Sequence, residues 1–307
     1  WPNSMSCSQR LTVSLCFSPL YQMLSLSPFI FSLLSVLTTH TILSFVPFIF
    51  SNYHLPIQLL LYAALLLLSQ ASLISCRKLL SLPISAQSSV FLHMFALWAI
   101  YITLIRHEVP WYIDAAVNGE LAVLAIMLRC MASSDPGFVE TDESVAIEIR
   151  IPNRTRFCKR CIRYVKGYDH HCPALGDNNY PLFFVVLIGF LCIEASYVLC
   201  SAKYSEFDLF ARPTYASHMS FARAFVMGTV EFVILQMIWQ GVFLAWHLYC
   251  ICFNIRTDEW INWKDYTEFH VVDQPQIDGG HVMHFTNPYN EGLLNNLRDF
   301  LRKGNIL

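Results

Sequence analysis

The sequence predicts an all-α polytopic membrane protein with up to six spans and one small polar loop that carries cysteines. Three observations predict it. Of 307 residues, 55% are hydrophobic and only 14% charged, where an ordinary soluble domain has about 25% charged residues. From Leu11 to Cys76 there is no Asp, Glu, Lys or Arg, and a water-facing surface is not built from such a stretch. Apolar runs of the length a bilayer core requires, about 20 residues each, recur along the chain. The net charge of −2 argues against a nucleic-acid partner, which needs a basic surface.

Six runs qualify as spans. The first is PFIFSLLSVLTTHTILSFVPFIF at 28–50, diluted by Ser, Thr and Pro. The second, PIQLLLYAALLLLSQASLIS at 56–75, is more uniformly apolar. The third covers 86–105 and ends FALWAIYITLI; the fourth covers 115–133 and is interrupted by Glu120 and Arg129. The fifth is PLFFVVLIGFLCIEASYVLCS at 181–201, and the sixth lies within 224–253, with FVILQMIWQGVFLAWHLYCICF as its apolar body. A cleaved signal peptide fits poorly, because the early basic residue is a lone Arg10 and the apolar runs are too long. The first residue is Trp1 rather than Met, as expected of a fragment or an imperfect gene boundary.

Lys and Arg in short loops set orientation. Arg77 and Lys78 lie between spans two and three. The loop at 134–180 carries Arg150, Arg154, Arg156, Lys159, Arg160, Arg163 and Lys166, and the C-terminal segment carries Arg256, Lys264, Arg298, Arg302 and Lys303. All three regions share one side if every candidate spans, and that side is then the cytosol. Four spans without the N-terminal pair would keep the same sidedness for the rest.

Eleven cysteines are present. Cys130, Cys192, Cys200, Cys250 and Cys252 sit in apolar runs and read as small buried hydrophobes. Cys158, Cys161 and Cys172 stand in a polar, charged context, which is not a secreted disulfide pattern.

The chemistry concentrates in YDHHCPALGDNNY, residues 168–180. In an extended segment, residues two apart share a face, so His170 and Cys172 would point one way, Asp169 and His171 the other. A histidine beside a cysteine can take its proton and leave a thiolate nucleophile. Asp169 can fix the imidazole tautomer. Upstream, Cys158 and Cys161 form a C-x-x-C pair, a common half of a tetrahedral zinc site, and His171 is a third countable ligand. The bland alternative is a solvated or metal-binding His-His pair beside an inert thiol, and local composition leaves both readings open.

These residues resemble the DHHC-type protein S-acyltransferases, or palmitoyltransferases. DHHCP at 169–173 follows a cysteine-bearing loop between spans. Asp135, Pro136 and Gly137 stand where that family has Asp-Pro-Gly. RTDE at 256–259 is similar to its Thr-Thr-x-Glu, with Arg256 in the first Thr place, and NPYNEGLLNNLRDF at 287–300 resembles its Asn-Pro-aromatic segment, with Asn296 at the later Asn. The likeness runs over about 86–303, as in a plant-like member with a truncated cysteine-rich domain.

The resemblance implies four core transmembrane helices and a small cytosolic zinc-binding cysteine-rich loop domain. The expected division is 1–85, an N-terminal hydrophobic extension with up to two extra spans; 86–133, core helices one and two; 134–180, the cysteine-rich domain; 181–253, core helices three and four; and 254–307, a cytosolic C-terminal segment. It also implies a two-step reaction. Cys172 attacks the thioester of a long-chain acyl-CoA, palmitoyl-CoA as donor, and passes the acyl group to a cysteine of a protein substrate. His170 is implied as base, Asp169 as its orienter, and Thr257 as a neighbour of Asp169. Implied partners are acyl-CoA, membrane lipid and cytosolic or membrane-associated proteins with acceptor cysteines. The implied location is the endomembranes (ER or Golgi) or plasma membrane, with the site facing the cytosol.

The sequence departs from the family in its zinc ligands. An upstream C-x-x-C and the His-His after it are missing, and Tyr164 stands where another Cys is expected. A Cys between Cys172 and Asn179 is absent, that interval is shorter than usual by about four residues, as at a lost exon edge, and Ala174 replaces the usual Trp. Cys158, Cys161 and His171 then remain, with Asp177, His281 or His284 as candidates to close the site, or no metal at all. Two rival readings follow: an inactive relative acting as a membrane scaffold, or an unrelated metal-handling membrane protein. The second requires ionisable residues lining several spans, and Glu120, Glu194 and Glu231 are too scattered for that.

Overall fold

The computed structural model describes residues 26–80, 85–139, 154–173, 175–177, 180–204, 220–272 and 283–303. Six long helices dominate them: α1 (Leu26–Ile49), α2 (Leu55–Leu80), α3 (Ala86–Ile100), α4 (Trp111–Ser133), α5 (Tyr180–Tyr204) and α6 (Phe221–Cys252). Helix α3 continues through a π turn at Tyr101–Ile105 and a 3-10 turn at Arg106–Glu108. All six are long and apolar enough to cross a membrane. None has a polar face, which suits a solvent in which only internal backbone pairing is available. Leu60, Leu67 and Leu199 point outward from the protein, as lipid-facing side chains do. The chain is thus a multi-pass, mostly helical membrane protein, as the hydropathy predicts.

Shorter elements follow on the polar segments: β1 (Thr155–Cys158), β2 (Arg163–Lys166), β3 (His171–Cys172), β4 (Gly176–Asp177), α7 (Thr257–Ile261), β5 (His270–Val272), β6 (Met283–Phe285) and α8 (Leu293–Lys303). The strands form three two-stranded antiparallel ladders, β1–β2, β3–β4 and β5–β6.

The chain divides into two compact units, one of residues 1–125 and 189–241, the other of 126–188 and 242–307. In the first, Leu43 and Val46 of α1 and Tyr62 of α2 form a buried cluster with Phe232 and Leu235 of α6. His40 and His93 stack with ring centroids 4.9 Å apart, and His40 Nε2 lies 2.9 Å from His93 Nδ1. A Cβ on Gly228 would meet Ser44 Cα at 2.9 Å, so glycine is what lets α6 approach α1 so closely. Two polar pairs join helices here: buried Gln240 donates to buried Glu194 at 2.9 Å, and half-buried Ser196 to Glu120 at 2.8 Å. Asp114 accepts from Tyr101 at 3.1 Å and pairs with Arg106 at 3.0 Å. Those bonds tie down the turn and explain why α4 begins at Trp111 rather than near 115.

The second unit holds the polar segments. The Asp135 carboxylate accepts the N–H groups of Gly137 and Phe138 at 2.9 and 3.0 Å, making a side-chain turn. Gly137 takes φ of +97°, and its carbonyl accepts from Lys166 at 2.9 Å. The Asp-Pro-Gly sequence therefore turns the chain onto the back of β2. Cys250, Ile251, Ile255, Tyr266 and Phe269 form the core here. The C-terminal segment caps α6, whose last carbonyls have no partner within the helix. Asn287 Nδ2 donates to Phe253 O and Asn296 Nδ2 to Cys252 O, each at 2.7 Å.

Candidate active site

Cys158 closes β1, Cys161 lies in the turn, and Ile162 has φ of +55°, so the backbone doubles back within a few residues. Ile162 N–H donates to Cys158 O at 2.8 Å. Cys161 N–H points at Cys158 Sγ at 3.4 Å, the kind of bond that steadies a ligating sulfur. Strand β3 brings His171 against this turn, with Nδ1 at 3.6 Å from Cys158 Sγ and 3.4 Å from Cys161 Sγ.

The three donor atoms lie within 4.8 Å of one another. Zinc bonds of about 2.3 Å to sulfur and about 2.0 Å to nitrogen give tetrahedral edges of about 3.5 Å between unlike donors. The sulfur-to-nitrogen distances match such edges, so these residues fit a zinc ion. Among the described residues this is the one such group. Asp177 stands opposite His171 in the β3–β4 register. His281 lies outside the described residues, and exposed His284 on β6 is not in the group. Tyr164, where the resemblance leads one to expect a cysteine, packs edge-to-face on Phe157 at 5.2 Å. Ala174 lies outside the described residues.

Just before β3 the chain is irregular, and strict alternation fails there. Asp169 turns toward His170 rather than to the side of His171, with Oδ2 at 2.6 Å from His170 Nδ1. The other carboxylate oxygen accepts the Thr257 N–H at 2.7 Å, and the Asp169 carbonyl accepts from Asp258 N–H at 3.2 Å. The N-terminus of α7 is thus aimed at Asp169, where its partial positive charge favours a carboxylate. Thr257 is beside Asp169 as the resemblance implies, but through its backbone. Its hydroxyl accepts from Trp246 Nε1 at 3.1 Å.

Burial alone would raise the Asp169 pKa, but the His170 bond, the Thr257 N–H and nearby Arg256 outweigh it and hold the carboxyl below its usual range. Burial would likewise lower His170, yet hydrogen bonds with Asp169 and Cys172 and their charge push it up to about 9. A histidine so placed favours the imidazolium–thiolate form of its cysteine neighbour. Rings surround His170: Phe183 at 5.4 Å, His247 at 6.1 Å and Phe243 at 6.2 Å. Sequence reading passed over His247, one polar letter in an apolar run.

Arg154 was also missed except as a loop charge. It takes φ of +61°, and its guanidinium makes a two-pronged pair with buried Glu259 at 2.6 and 2.7 Å. It also donates to Asn254 Oδ1 at 2.9 Å and covers the Tyr289 ring at 4.4 Å. One side chain therefore joins the start of the β1–β2 hairpin to the end of α6, to α7 and to the Asn-Pro-Tyr turn. Its partners stand 100 or more residues away in sequence, which is why no local signal reveals them.

Comparison with known proteins bears on this arrangement. Residues 140–264 match the family model described as DHHC palmitoyltransferase. The chain is 25% identical over 166 residues to the mouse (Mus musculus) palmitoyltransferase ZDHHC17, covering 50% of this chain and 24% of that protein. It is 27% identical over 146 residues to palmitoyltransferase akr1 of Neurospora crassa, covering 39% of this chain and 20% of that protein. It is 31% identical over 117 residues to the probable protein S-acyltransferase 15 of Arabidopsis thaliana, covering 35% and 42%. The chain spans about a quarter of the length of ZDHHC17. Motif, geometry and comparison agree, and within its multi-pass membrane framework the chain carries a domain of the DHHC palmitoyltransferase family over residues 140–264.

Proposed function

We propose that the protein is a protein S-acyltransferase that moves a long-chain acyl group, palmitoyl in the simplest case, from acyl-CoA to cysteines of protein substrates. The observation that carries the reading is the ordered series from the Thr257 N–H through Asp169 to His170 and its hydrogen bond with Cys172.

In the first step His170 holds the proton of the Cys172 thiol. The thiolate attacks the thioester carbonyl of acyl-CoA, an acyl–sulfur bond forms to Cys172, and the bond to coenzyme A breaks. His170 returns the proton to the departing coenzyme A thiolate. In the second step His170 takes the proton of an acceptor cysteine, whose sulfur attacks the acyl-Cys172 thioester, and Cys172 leaves and is reprotonated. Asp169 keeps Nδ1 of His170 engaged, so that its other nitrogen faces the reaction. Cys158, Cys161 and His171 would hold zinc, which would supply structural fixation of β1, β2 and β3.

The basic residues around 150–166 and after 256 support a site that faces the cytosol, and a location in the endomembranes or plasma membrane is part of the same proposal. An acyl chain gains about 0.8 kcal/mol per CH₂ buried in apolar surroundings, which favours a nucleophile placed near the ends of spans. The division into an N-terminal extension, core helices, cysteine-rich domain and C-terminal segment is part of the same proposal.

The test is transfer. Purified protein charged with labelled palmitoyl-CoA should pass label to a cysteine peptide but not to the matching serine peptide. A protein that acylates itself and never passes label on would contradict the transferase reading. One that takes up no label while folded would favour the scaffold reading, which the reduced ligand set of the cysteine-rich loop motivates.

A further inference from the structure

We propose that α8 docks on an anionic lipid surface through its leucine face. The helix, LLNNLRDFLRK at 293–303, is short and two-sided. At about 100° per residue, Leu293, Leu294, Leu297 and Leu301 fall on one arc. Leu293, Leu294 and Leu297 are 53%, 78% and 36% exposed, so an apolar face is turned outward while the helix is held by a different one. That holding face is Asn296, buried at 1% exposure, and Phe300.

The attachments fix what lies next to the leucines. Asn296 bonds the carbonyl of Cys252, the last residue of α6. Phe300 packs edge-to-face at 5.8 Å on Phe184, two residues into the span Leu182–Ala202. Helix α6 ends at Cys252 and the apolar run that forms it ends at Phe253, so both anchors lie where spans meet headgroups. A helix pinned at that depth with three exposed leucines facing out, and half-buried Leu301 beside them, has acyl chains as its available apolar neighbour. Arg298 and Arg302 are exposed and lie beyond one edge of the leucine arc, past Leu294. Their stems can lie along lipid while the guanidinium groups reach phosphate and carboxylate headgroups. The assignment of this face to the anionic cytosolic leaflet rests on the orientation proposed above; lipid contact itself does not.

The experiment uses the full chain in nanodiscs of phosphatidylcholine, with or without phosphatidylserine. A photoreactive benzoylphenylalanine is placed at position 294, or at position 295 on the polar face. Illumination at 294 should cross-link phospholipid, at least about tenfold more than at 295, as expected of a helix seated at the acyl boundary. Phosphatidylserine should raise the 294 yield, and the pair Arg298→Glu with Arg302→Glu should abolish that rise, because the effect is electrostatic. Equal yields at the two positions would overturn the proposal. So would cross-links to a second copy of the chain, or a 294 yield indifferent to phosphatidylserine. The readout requires no activity, so it stands apart from the test of acyl transfer.

Discussion

The backbone N–H of Thr257 donates to Oδ1 of Asp169 at 2.7 Å across 88 residues of sequence. The contact is made by the amide and not by the hydroxyl, and this has a sharp consequence for mutation. Thr257 is the first residue of α7, where proline fits without loss of a helical bond. Arg256 before it is extended, as a residue preceding proline must be. Thr257→Pro therefore deletes the N–H that reaches Asp169 and little else of the backbone. Thr257→Ala should keep self-acylation within about threefold of the parent, whereas Thr257→Pro should lower it by at least about tenfold, the loss of one charge-assisted hydrogen bond. Similar rates for the two variants would show that the amide bond is dispensable.

Asp169 bonds His170 Nδ1 at 2.6 Å. Asp169→Asn preserves shape but no longer dictates which imidazole nitrogen carries the proton. Its self-acylation rate, and that of His170→Ala, should fall by about 10²–10⁴, the usual contribution of a placed general base. Metal content should be unchanged in both, since neither residue belongs to the Cys158–Cys161–His171 group. A loss of metal parallel to the loss of rate would show instead that these residues hold the fold.

Zinc supplies a separate prediction. Protein purified without chelator should contain about one zinc per chain by elemental analysis, as a single site implies. Cys158→Ala and Cys161→Ala should abolish it, and Cys172→Ser should not. Prolonged chelation should lower the thermal midpoint, because structural metal binding is also folding energy. Full zinc content in Cys158→Ala would refute the assignment.

The Arg154–Glu259 pair should matter to stability more than any surface pair in the second unit. Glu259 is fully buried, and Glu259→Gln leaves the guanidinium without its two-pronged partner. Breaking such a buried pair costs about 3–5 kcal/mol. Thermal unfolding in detergent should register that loss for Glu259→Gln. By contrast Asp265→Asn, which removes only the largely exposed partner of Arg156, should cost under about 1 kcal/mol.

Much of this framework was legible in the sequence, for stated reasons. Span number follows from length and apolarity, which the bilayer imposes regardless of tertiary detail. The fourth helix begins at Trp111, ahead of the apolar run at 115–133, because Tyr101 and Arg106 bond Asp114 from outside that run. The Asp169–His170 and Cys158–Cys161–His171 groupings involve residues close in the chain, so spacing alone suggests them. Strands of two residues carry no readable period, and β3–β4 could not be foreseen. The bonds of Arg154, Asn254 and Asn296 join segments far apart in sequence, and only the fold displays them. His247 entered the site from inside an apolar run, where a lone histidine gives no signal.

The most direct test of the account is self-acylation of the purified chain by labelled palmitoyl-CoA, followed by neutral hydroxylamine, with Cys172→Ser alongside. The account predicts label on the parent protein, released by hydroxylamine as a thioester must be, and none on the variant. Equal labelling of Cys172→Ser, or no label on a folded and monodisperse parent, would contradict it.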